Sequence, residues 1–574
     1  MPTGSLVVVV LLHVPYVRRA GVWPFGESQL FGALADAFLP FLDRILDLQE
    51  NPGPAPRLTL ALSPVLAEQL SDPILRSGFE EFMLRRLADH AEAARALPEP
   101  LAAVARWHRD RDERLLDSWS GRHRRDLVRT VRELAHAGAV EVVTLPGTAA
   151  ILPILPRAGA AEFQVKTGLL SAERHLEHRP LGMWLPGGAI APRGAFEPME
   201  GADRFRGMLL GGERDSEMPG TDETLRWQEV DYAIAAERAL QGVRPDPAGP
   251  SPLDVHRTSA GLALLTRHDG LHDAWFDPHR GFPASPGYLG PPDDAGGRYL
   301  ARGNSRAVGE RTAPQVDADP MARPYDPVAA RELAASHAQD AVATARSVLA
   351  DHQRHTGHPG ILVMPVDARL FETWTEGPDW VADMLIAARD DGLALQSGAE
   401  AVHGQTVFPL PDLHPASWEA HGDFRHWRAP NTTWYWDVVA SVLDTAESLV
   451  DRFASSGHPL VVRALAQAMR EASLLVSGEW AAMLGAGGEG RDYAAERVRS
   501  HHDRFRLLSE MLLAEDFGEG FDTALLERFE ELDSPFEAFD YDRHRVLPAP
   551  EDEPDLPMPE PPPGRGAMGP RDVL

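Results

Sequence analysis

Residues Ser5–Arg18 read SLVVVVLLHVPYVR. Leu6–Leu12 is an unbroken apolar run with four consecutive valines. A strand apolar at every position is buried on both faces, as parallel strands under helices are. His13 and Pro15 close the run, so a titratable side chain falls where the strand ends. Working outward, further short apolar runs closed by turn signals occur at Leu58–Leu62, Val140–Thr144, Gly182–Leu185, Gly207–Leu210, Ile361–Met364 and Leu393–Gln396. Helical spacing lies between the early ones: Leu30, Leu34, Phe38, Phe41, Ile45 and Leu48, then Phe79, Phe82, Met83 and Leu87. About seven strands alternating with helices predict an α/β fold, a (β/α)7-type barrel.

The barrel is expected over residues 1–405, with an insertion at about 211–345, where Pro283–Gly297 is rich in Pro, Gly and Asp. Residues 406–545 are expected to form a C-terminal helical domain. From Leu547 onward the Pro-rich, acidic composition cannot bury a core, so 546–574 is expected to be a disordered tail. A chain of 574 residues is too long for one ordinary core, and two compact regions are expected.

Composition excludes several functions. The 43% hydrophobic and 25% charged content is that of a globular protein, and the formal charge of −30 argues against nucleic acid or an anionic membrane as partner. With no cysteine, disulfides, thiolate catalysis and Cys-ligated metals are out. Leu6–Leu12 lacks the flanks of a signal peptide and no later run reaches a membrane span, so a cytoplasmic location is expected.

In a parallel barrel, chemistry sits just past the strand ends. Those positions hold His13-Val14-Pro15-Tyr16, Thr144–Pro153, Trp184-Leu185-Pro186-Gly187-Gly188-Ala189 and Pro365-Val366-Asp367-Ala368. In this order they resemble glycoside hydrolase family 57, specifically its α-1,4-glucan branching enzymes. That family opens with His-Leu-Pro-Tyr-Val-Arg, matched here by His13–Arg18 at all but one position. Further likenesses are Arg57–Pro64 with Leu70-Ser71-Asp72-Pro73, Tyr325-Asp326-Pro327, Asn431–Trp436, and Arg470-Glu471 with Trp480. The resemblance covers roughly residues 5 to 515.

It implies a retaining double displacement, for which two carboxyls stand about 5 to 5.5 Å apart. Asp367 takes the acid/base position. The nucleophile motif Trp-Leu-Pro-Glu-Cys-Ala-Tyr is Trp184–Ile190 here, so Gly187 stands where the glutamate should be. Ala149 and Thr373 replace two histidines of the family pattern, and Arg369 a glutamate. Glu197 and Glu200 lie about ten residues past Gly187, beyond the strand end, and nothing in the sequence brings them to the same point. The implied substrate-binding residues are His13, Trp184, Trp275, Trp418 and Trp427, since indoles stack on the apolar faces of sugar rings. The expected function is an α-glucan-binding or regulatory protein of glycogen metabolism that has lost double displacement and acts beside an active branching or debranching enzyme. An active branching enzyme and a sugar-free scaffold are the alternatives.

No cofactor or metal is expected. His268, His272 and His279 read as a loop cluster. His352, His355 and His358 fall at a helix C-terminus, where imidazoles cap carbonyls.

Overall fold

The computed structural model describes residues 4–21, 25–50, 57–195, 218–241, 249–290, 323–419, 421–518 and 520–542. Its strands are β1 (Gly4–Leu12), β2 (Leu58–Leu62), β3 (Val140–Val143), β4 (Gly182–Trp184), β5 (Tyr232–Ala235), β6 (Val255–Thr258), β7 (Ala263–Thr266), β8 (Gly360–Asp367), β9 (Ala394–Leu395) and β10 (Val407–Leu410). β1 is fully buried and pairs in parallel with β2 on one side and with β8 on the other, from Gly4↔Gly360 to Leu11↔Asp367. Val7, Val9 and Leu11 point inward to meet Ala61, Val143, Ile234 and Val363. Leu6, Val8, Val10 and Leu12 point outward under the helices. That double burial is why the run never alternates with polar residues.

The parallel ladder continues through β3, and a single bridge, Thr144↔Met183, carries it to β4. β5 and β7 follow in parallel, and the bridge Arg267↔Val363 closes the circuit on β8. Seven parallel strands therefore form the barrel, with their C-terminal ends on one rim. β6 is a hairpin partner of β7 outside this ring, and β10 pairs with β6.

Two expectations about the barrel change. The stretch 211–345, read as an insertion, supplies β5 and β7, two of the seven barrel strands. Both are four residues long, and Tyr232–Ala235 is half alanine, too short and too weakly apolar to stand out. The run Leu393–Gln396 shrinks to Ala394–Leu395, which pairs with β1 at Ser5 and Leu6, below the point where β2 begins. Gly207–Leu210 and the tail 546–574 lie outside the described residues.

Helices wrap the outside. The spacing from Leu30 to Leu48 becomes Glu27–Ala33, a wide π-type turn at Leu34–Phe38, and Leu39–Glu50. Pro40 accounts for the turn: it lacks the N–H that would bond the carbonyl of Asp36, and its ring crowds that carbonyl. Pro327–Thr356 is capped by Asp326, whose carboxylate accepts from the backbone of Val328 and Ala329. Beyond the barrel, Thr433–Phe453, Pro459–Leu475, Gly478–Ala486, Gly488–Leu513 and Thr523–Leu532 form the expected helical layer. This layer shares one core with β4, the loops after β3 and β4 and the helix Ala158–Leu176, where Ile151, Val165, Met183 and Ile190 pack with Val439, Ala468 and Leu508. Hence Met1–Tyr541 forms one unit where two regions were expected. Among the described residues no helix is long and apolar enough to cross a membrane, and Leu6–Leu12 is the central barrel strand.

Candidate active-site cleft

The strand ends deliver His13, Thr148, Gly187, Arg267 and Asp367 to one rim, and the helical layer closes over it. Thr148 donates to the carbonyl of Ser473 at 2.7 Å. Gly478 packs so tightly on the carbonyl of Ala149 that a Cβ there would collide with it. Ala149, at the lost histidine position, adopts a left-handed φ of 53°. No side chain larger than a methyl is left to reach into the cleft from that position.

At the end of β8, Asp367 caps the short helix Ala368–Glu372 by accepting from Arg369 N at 2.9 Å, yet remains open to solvent. Desolvation by the surrounding walls raises its carboxyl above the ordinary range, against the pull of Arg369 and His13, and Glu479 pushes the same way. Glu479, in the first turn of Gly478–Ala486, is a cleft carboxylate that the sequence reading did not single out. Its carboxylate accepts from His13 Nε2, and Ser477 Oγ lies 2.6 Å from its other oxygen. Desolvation would raise it too, but His13 and Ser477 outweigh that and hold it below the usual range. The cleft floor thus holds two carboxyls with opposite tendencies, one towards the acid and one towards the anion.

The remainder of the opening motif is structural. Val17 N donates to Gln69 Oε1 at 2.8 Å, Arg18 pairs with Asp72 at 2.5 Å, and Arg18 also reaches the carbonyl of Leu532 at 2.9 Å.

At the expected nucleophile position the backbone itself is unusual. Gly187 and Gly188 both take left-handed φ, 61° and 59°, which glycine adopts without a Cβ penalty. A Cβ on Gly187 would stand 2.6 Å from Trp427 Cη2, and one on Gly188 2.5 Å from Trp418. The two tryptophans lie directly against the glycine pair. Trp427 is only 4% exposed and its carbonyl accepts from Trp436 Nε1, so it is a packed wall. Trp418 is partly exposed, with Trp184 edge-on at 5.1 Å and the Arg267 guanidinium 5.0 Å from its ring centre. Trp275 sits elsewhere, buried beside Phe276 in the barrel's outer core. Glu197 and Glu200 lie outside the described residues.

The remaining sequence candidates separate. His268 caps the helix Asp269–Phe276, His279 is exposed, and burial holds His272 down at about 3. Arg470 and Glu471 face away from the cleft. Glu471 accepts from His501 Nδ1 at 2.7 Å and Arg504 Nε at 3.0 Å, and Arg504 lies 2.7 Å from Asp533. Glu471 and His501 are fully buried, and burial beside Arg497 keeps His501 neutral.

Comparison with known proteins places the whole fold. The family model for glycosyl hydrolase family 57 matches residues 8–295, and that for the C-terminal region of 1,4-alpha-glucan branching enzyme matches 439–544. A 1,4-alpha-glucan branching enzyme of Thermococcus kodakarensis is 29% identical over 93% of this chain and 77% of its own length. A probable 1,4-alpha-glucan branching enzyme of Mycobacterium tuberculosis is 27% identical over 89% of this chain and 93% of its own. The crystal structure of the GH57-type branching enzyme from Pyrococcus horikoshii superposes with a TM-score of 0.84 at 26% identity, covering 96% of this chain and all of that one. The chain belongs to glycosyl hydrolase family 57.

Proposed function

We propose that this chain binds α-1,4-glucan in the cleft between the barrel rim and the helical layer, and that it does not perform double displacement through residue 187. The observation that carries this reading is the ring of Trp427 packed on Gly187, which leaves no room for a carboxylate at the expected nucleophile position. Trp418, backed by Trp184 and Arg267, offers the half-open indole face on which a glucose ring stacks. A cytoplasmic role beside an active glycogen-metabolising enzyme fits such a binding protein.

In affinity electrophoresis, gels containing amylopectin are expected to retard the protein, and Trp418→Ala to weaken the interaction about tenfold. Unretarded migration would favour the scaffold alternative. Amylose incubated with the protein and then debranched should show no new α-1,6 branches; their appearance would overturn the reading.

One observation favours the second reading, an active branching enzyme: Glu479, bonded to His13, lies near enough to Asp367 to raise its carboxyl. Under it, Glu479 would attack the anomeric carbon while Asp367 protonates the departing oxygen. The 6-hydroxyl of a second glucan chain would then displace Glu479 and return its proton to Asp367. Branching would require Asp367 protonated, so it would fall as pH rises through that raised value. Glu479→Gln and Asp367→Asn would each abolish branching.

A further inference from the structure

We infer that Asp254, His352 and His358 form a divalent metal site at the barrel end opposite the cleft, and that it takes Zn2+. His352 lies in the last turns of Pro327–Thr356, His358 in the turn that leads into β8, and Asp254 immediately before β6. Asp254 Oδ1 lies 3.0 Å from His352 Nε2 and 3.6 Å from His358 Nδ1. Tetrahedral zinc with bonds near 2.0 to 2.1 Å places its ligand atoms roughly 3.3 Å apart, so one ion could satisfy all three groups after small rotations.

Chemistry and burial point the same way. The His352 and Asp254 side chains are 5% and 10% exposed, which keeps them in place, while His358 at 31% leaves a path for the ion and for a water as fourth ligand. His358 has only long contacts through Nδ1, 3.4 Å to the carbonyl of Pro359 and 3.6 Å to Asp254. No arginine or lysine pairs with Asp254 among the described residues. The other grouping of this kind, Glu471 with His501 and Asp533, already has the guanidinium of Arg504 between its two acids, so a cation there is redundant. The helix-cap role expected for these histidines belongs to His355, which bonds the carbonyl of Asp351 at 2.7 Å.

The site is remote from the glucan cleft. Asp367 lies at the far end of β8, about 23 Å along the strand from its start at Gly360. A metal here would tie the end of the long helix to β8 and to the segment before β6, so its role is structural.

Isothermal titration of the chelator-treated full-length protein with ZnCl2 is expected to give one saturable high-affinity site per chain, and Co2+ in its place to give the visible absorption of tetrahedral cobalt. His358→Ala, at the most exposed ligand, should weaken Zn2+ binding at least tenfold and Asp254→Asn comparably. Both variants should keep amylopectin retardation. Because His358 is peripheral, that variant separates loss of the site from loss of the fold. Absence of a saturable site, or an affinity unchanged in both variants, would overturn the inference whatever the outcome for glucan binding.

Discussion

Substituting glutamate at Gly187 is expected to lower stability and to bring no gain in branching activity. Two costs add. A side chain at φ 61° brings left-handed strain of about 1 kcal/mol, and forcing atoms into packed space costs a further 1 to 3 kcal/mol. The atoms it meets belong to the indole of Trp427, which is buried and held through its own carbonyl by Trp436. A loss of about 2 to 4 kcal/mol should appear as a lower denaturant midpoint with an unchanged slope. The decisive comparison is Gly187→Glu in a Trp427→Ala background. Removing the indole alone opens a cavity at a cost of about 3 to 5 kcal/mol, but the double variant should be more stable than the sum of the single losses, because the glutamate then has space. Strict additivity, or a wild-type midpoint for Gly187→Glu alone, would show that Trp427 does not occupy the position.

Truncating Glu471 to alanine is the most damaging single change expected outside the barrel. Glu471 and Asp533 offset Arg504 and Arg497 in a region with almost no solvent. Removing one member of a buried ion network leaves an uncompensated guanidinium and costs about 3 to 5 kcal/mol. His501 cannot compensate, because its neutral ring already donates to Glu471 and faces Arg497 at 2.9 Å. Glu471→Gln retains an acceptor for His501, so it should fall between wild type and the alanine variant in thermal unfolding. Equal midpoints for alanine and wild type would show that the network contributes nothing. Since Glu471 lies away from the cleft, any folded fraction should still bind glucan.

The barrel was legible where burial on both faces forced an unbroken apolar run. Leu6–Leu12 and Leu58–Leu62 reappear almost to the residue. β5 and β7 escaped because Tyr232–Ala235 and Ala263–Thr266 are short, and the apolar signal of the first is diluted by alanine. Missing β7 also meant missing Arg267, the residue that follows it and lies over Trp418. His13 and Asp367 were readable because they follow or end a strand, and Gly187 because it lies in the turn just past β4. Glu479 was not, since it reaches the rim from a helix in another part of the fold. The trace it left is small: Ser477 and Glu479 stand at a helix start, where an N-cap reading is sufficient explanation. Only the fold shows that the helix points its first turn at His13.

The bond between His13 and Glu479 joins residues 466 positions apart. At ribosomal elongation rates of about 5 to 20 residues per second, roughly 20 to 90 seconds separate the synthesis of its two partners. Over most of that interval the nascent chain carries β1, a strand buried at every position, before its neighbour β8 has been made. Until residue 367 has been made, β1 can pair with β2 on one side only, and its other edge waits for β8.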